Sequence, residues 1–95
     1  MNPEMKIRQQ FVFSGRVQGV GFRSRAVKAA AVYNCTGWVR NDWNGTVSME
    51  IQGTEEQIDQ VILAVEKGRF IRIENVSSRI IPVDPDEKYF TEEYD

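Results

Sequence analysis

Residues 15–23 read GRVQGVGFR. Gly15, Gly19 and Gly21 punctuate the end of an apolar run, and Arg23 stands where a helical pattern begins. A helix N-terminus carries about half a positive charge, so a cation there is at the wrong end by about 0.3–1 kcal/mol. A bound anion reverses that cost. Amides at a strand-to-helix junction point one way, glycines let backbone approach an anion closely, and a guanidinium fork matches phosphate oxygens bidentately. The spacing G-x-x-x-G-x-G is neither a G-K-[ST] phosphate loop nor the G-x-G-x-x-G dinucleotide fingerprint. On spacing alone, the glycines equally suit a tight turn with Arg23 in solvent.

The elements that must hold this loop are legible. IRQQFVFS, about residues 7–14, alternates Ile7, Gln9, Phe11 and Phe13 on one face and reads as a strand. From Phe22 to Asn34 the spacing turns helical, with Phe22, Ala26, Ala29, Ala30 and Tyr33 on one stripe and Asn34 as a left-handed cap. TGWVRND and GTVSMEIQG are strands joined through DWNG, whose Asn44-Gly45 pair signals a hairpin. In the second of these Val47, Met49 and Ile51 face in, while Thr46, Ser48, Glu50 and Gln52 face out. TEEQ is a capping box opening a helix with Ile58, Val61, Ile62 and Val65 on its apolar face, ending near Gly68. IENVSSRIIPVD and KYFTEEY finish as strands around the turn DPDE.

The order is β-α-β-β-α-β with an extra short strand. Alternation with one polar face predicts a mainly antiparallel sheet with both helices on one side, an α+β, ferredoxin-like α/β sandwich. The 95 residues make one domain, 1–95, with no repeat or linker.

Composition removes several chemistries. There is no histidine and one cysteine, Cys35, which excludes Ser–His and Cys–His nucleophile pairs, histidine-bound metals, internal disulfides and cysteine-ligated metal centres. A formal charge of −2 argues against general nucleic-acid binding. MNPEMKIRQQ lacks the apolar segment of a signal peptide, and no run is long enough to span a bilayer, so a cytoplasmic protein is expected.

Other residues read plainly. Asn41, just ahead of DWNG, by itself suits a turn residue whose side chain bonds backbone. Trp38 reads as core or pocket wall, Cys35 as a small buried hydrophobe, and Arg40 as part of a solvated strand face. Glu55 and Glu56 complement a helix dipole, and Arg16 raises the local potential.

GRVQGVGFR, followed fourteen residues after Arg23 by GWVRN, closely resembles the acylphosphatase family, whose signatures are a G-x-V-Q-G-V-x-[FY]-R loop and a G-[WF]-V-x-N strand. The similarity runs through nearly the whole chain. It implies hydrolysis of carboxyl-phosphate mixed anhydrides without metal, cofactor or covalent intermediate. It also implies that Arg23 binds the phosphate, that Asn41 orients the water, and that amides of Gln18, Gly19, Val20, Gly21 and Phe22 hold phosphate oxygens. The substrate would be a small-molecule acyl phosphate, with no nucleic-acid or membrane partner, and the chain a monomer.

Two positions depart from the family pattern. Residue 25, commonly aromatic there, is Arg25 here; facing the pocket it adds positive charge, facing solvent it changes nothing. FTEEY puts Glu92 on the parity of Phe90 and Tyr94, where the family often shows apolar alternation. An inward charge on an edge strand can block sheet-to-sheet pairing, and it equally fits a short or frayed strand.

Rival functions are a non-catalytic phospho-ligand or protein-binding module on the same fold, and the similar module of hydrogenase-maturation carbamoyltransferases, whose other domains do not fit in 95 residues. An RNA-recognition module shares the element order. It displays aromatics on its outer sheet face, whereas Thr46, Ser48, Glu50 and Gln52 are expected there.

Overall fold

Alternation decides the first strand. In β1, Ile7–Arg16, the side chains of Ile7, Phe11 and Phe13 are buried on one face, as the period of two requires. The computed structural model describes residues 4–94. In chain order there follow α1 (Phe22–Val32), β2 (Thr36–Asn41), β3 (Val47–Gly53), α2 (Glu55–Glu66), β4 (Arg72–Ile81) and β5 (Phe90–Glu93).

The sheet order is β4-β1-β3-β2-β5. Every pairing is antiparallel except β2 with β5, which is parallel. Phe11 lies opposite Met49, Phe13 opposite Val47, and Val39 opposite Met49, so these side chains share one face. Phe22, Ala26, Ala29 and Ala30 of α1 and Ile58, Val61 and Val65 of α2 join them in one buried cluster. The ferredoxin-like α+β sandwich expected from the sequence is the fold observed. No described helix is long and apolar enough to cross a membrane.

α1 closes two residues earlier than its apolar spacing suggested, and Asn34 takes the left-handed conformation expected of it, with φ of 58°. The capping box forms as read: Thr54 Oγ1 accepts from the Gln57 amide at 3.2 Å, and Gln57 Oε1 accepts from the Thr54 amide at 2.8 Å.

The outer face of the sheet differs from expectation at Gln52. It points away from the helices as alternation demands, yet it is only 2% exposed. The chain between β4 and β5 covers it there. Gln52 donates to the Asp84 carbonyl at 2.7 Å and accepts from the Asp84 amide at 3.0 Å. Beside it Arg8 donates to Gln52, Glu50 and Glu87, the last through both terminal nitrogens at 2.8 and 3.1 Å. Trp38 also lies on this outer face, half-buried, 5.0 Å from the Arg40 guanidinium. It is therefore neither core nor pocket wall, because its parity is that of Glu50, its partner on β3.

Candidate active site

The two helices begin differently, and the difference locates the site. α2 starts with a complete capping box and two acidic residues, Glu55 and Glu56. α1 starts from Gly21 with no side-chain cap and no acidic residue in its first turn. The first amides of a helix have no intrahelical acceptor. In α1 no side-chain cap offers them one, and its dipole is met by Arg23 instead of an acid.

The loop into α1 is held open by backbone geometry. Gly19 and Gly21 have φ of 72° and 85°, and a Cβ on either would meet nothing within 4 Å. Glycine is required there for conformation, not for space. Gln18 serves as a brace: its Nε2 donates to the Asp42 carbonyl at 2.6 Å and the Thr46 carbonyl at 2.8 Å. These bonds tie the loop to the turn after β2.

That turn follows Asn41, the last residue of β2, which shares a face with Val39 and so emerges beside the start of α1. Among the described residues the Asn41 side-chain amide has no hydrogen-bond partner. The turn role open to it goes to Asp42, which accepts from Thr46 Oγ1 and Ser48 Oγ, each at 2.7 Å, and from Arg40 Nε at 3.1 Å. Arg40 thus sits on the sheet's outer face with Asp42 as an ion-pair partner.

A cavity of about 140 Å³ opens between these parts, lined by Val17, Gly19, Gly21, Phe22, Arg23, Ser24, Asn41 and Glu92. At about 30 Å³ per molecule, that is the share of four to five waters, enough for a phosphoryl group. The structure brings together Arg23, Asn41, Gly19, Gly21 and Phe22. Gln18 and Val20 lie outside the lining; Gln18 braces the loop, and Val20 packs on the core.

Arg23 is half-buried, and its guanidinium carbon lies 5.4 Å from the centroid of the Tyr94 ring. Among the described residues it makes no ion pair. Arg25 faces neither the pocket nor open solvent alone. It donates to the Ala64 carbonyl of α2 through Nε at 3.2 Å and through Nη2 at 2.8 Å. Since α2 has no basic residue in its last turn, Arg25 supplies from α1 the cation that a helix C-terminus favours. Arg16 is exposed and outside the lining.

Sequence reasoning did not place Ser24, Val17 or Tyr94 here. Glu92 was flagged by its parity, and that parity is what turns it into the cavity from β5. Cys35 is buried, and desolvation pushes its thiol up to about 11. Among the described residues, no three His, Cys, Asp or Glu side chains are grouped to hold a metal ion.

The sequence model of the acylphosphatase family matches residues 9–92. An acylphosphatase of Clostridium acetobutylicum is 42% identical over 77 residues, covering 80% of this chain and 85% of that protein. Among solved structures, the acylphosphatase from Bacillus subtilis superposes with a TM-score of 0.84 at 28% identity, over 93% of this chain and 99% of the other. Full-length HypF in its phosphate- and nucleotide-bound form matches with a TM-score of 0.83 at 27% identity, over 94% of this chain but 12% of that one.

Proposed function

The chain belongs to the acylphosphatase family, whose members hydrolyse acyl phosphates, and on that premise we propose that Arg23 and Asn41 carry the reaction here. Arg23 and the amides at the head of α1 hold the phosphoryl oxygens, with Gly19, Gly21 and Phe22 forming the wall of the cradle. Gln18 and Val20 keep that loop in shape. Asn41 orients a water for in-line attack on phosphorus. The new P–O bond forms as the bond from phosphorus to the carboxyl oxygen breaks, and its electron pair leaves on the carboxylate. The water's proton passes to a phosphate oxygen of the substrate itself.

A carboxylate leaving group has a conjugate acid titrating at about 4–5, so it departs as an anion at neutral pH without a general acid. The absence of histidine is no obstacle to such chemistry. What the protein supplies is positioning and charge stabilisation on the equatorial oxygens. We take the working unit to be one domain, a cytoplasmic monomer that needs no metal.

One observation carries this reading: an uncapped helix start shares one cavity with a guanidinium and an amide side chain that, among the described residues, have no ion-pair or hydrogen-bond partner. Loss of an electrostatic donor of this kind costs about 10²–10³ in rate. Arg23→Ala and Asn41→Ala are each expected to lose at least that much turnover of benzoyl phosphate assayed in EDTA, with the fold retained by circular dichroism. Near wild-type turnover in either variant would overturn the assignment.

A further inference from the structure

The cavity holds a carboxyl group as well as a guanidinium. Glu92 lines it together with Arg23 and Asn41. Its Oε2 accepts a hydrogen bond from the Tyr94 hydroxyl at 2.9 Å, and the same Tyr94 ring lies beneath the Arg23 guanidinium. Tyr94 therefore steadies the carboxylate at one end and the cation at the other. Yet Glu92 and Arg23 make no ion pair with each other among the described residues. The carboxylate's field acts on whatever occupies the space between them. Its neighbour Glu93 is exposed and outside the cavity.

We propose that Glu92 weakens the cradle's hold on phosphoryl dianions, substrate and product inorganic phosphate alike. The proposal rests on the reading of the cavity as the phosphate site. Like charges a few ångströms apart in a partly solvated cleft repel appreciably, whereas a neutral amide of the same shape does not. Glu92→Gln keeps an acceptor for the Tyr94 hydroxyl and removes the charge, exchanging one carboxylate oxygen for an NH2 group.

The test is inhibition of benzoyl phosphate hydrolysis by inorganic phosphate, with phosphate binding read independently by ³¹P line broadening. In Glu92→Gln the inhibition constant and KM are expected to fall about three- to tenfold, and the gain to shrink as salt rises. Glu93→Gln should match the wild type. Glu92→Met should reproduce the tighter binding if the amide variant folds poorly. An unchanged phosphate affinity in the neutral variants would overturn the proposal, and so would a gain insensitive to salt. A fall in kcat with phosphate affinity unchanged would overturn it too, assigning the carboxylate a proton-accepting role. If Arg23→Ala bound phosphate as well as the wild type, the site reading itself would fail. If only the Glu92 variants were silent, the site would stand without this residue's part in it.

Discussion

Asp42 shows how one side chain settles the position of the next. It gathers hydrogen bonds from Ser48, Thr46 and Arg40, leaving Asn41 free to face the cavity. Burial alone would raise its carboxyl, but those hydrogen bonds and the Arg40 charge hold it below its ordinary value. A carboxyl whose folded value is lowered adds stability above the unfolded value and loses it as pH falls through the folded one. Asp42→Ala is therefore expected to cost about 1–3 kcal/mol at pH 7, measured by urea unfolding. The gap from wild type should narrow below about pH 4, and a gap constant from pH 7 to 3 would contradict the account. In the sequence Asn41 by itself suits the turn, a role the structure gives to Asp42. Their roles separate only because β2 alternates, turning one inward to the site and the other towards the hydroxyls of β3.

Among the elements, β2 is tightly constrained at Gly37. It has φ of 143°, and its amide donates to the Tyr89 carbonyl at 3.0 Å, just before β5 pairs alongside. A Cβ there would overlap the Glu50 carbonyl oxygen and stand 2.8 Å from its carbon and 2.9 Å from Ile51 Cα. All three atoms are backbone of β3, which cannot move cheaply. Gly37→Ala should lower stability by about 2–4 kcal/mol, seen as a drop in Tm, with β2–β3 amides exchanging faster. An unchanged Tm would mean the close approach is not real. The capping box of α2 was fully readable because it is local, four residues satisfying one another. Arg25 was not, since its acceptor, Ala64, lies 39 positions away on another helix.

Across the whole molecule, the last segment of chain runs from the far side of the sheet to the site. Arg8 is buried on the outer face, paired with Glu50 and Glu87. Glu87 lies on the stretch that carries the chain across to β5, the strand that bears Glu92 and leads into Tyr94. Removing one partner of a buried pair leaves uncompensated charge, typically about 3–5 kcal/mol. Arg8→Ala should lose stability on that scale in urea, and β5 amides should lose hydrogen-exchange protection first; uniform exchange across the sheet would show that the two are not linked. The sequence by itself determined the element order, the helix-facing core and the two signature segments, because periodicity, capping and turn chemistry act over a few residues. Tertiary structure alone decided which side chains share the cavity, why Gln52 and Arg8 are buried on a nominally outer face, and what Glu92 meets on the inward side its parity gives it. Those outcomes depend on strands that pair only after the chain has crossed the sheet, a separation over which local pattern carries no information.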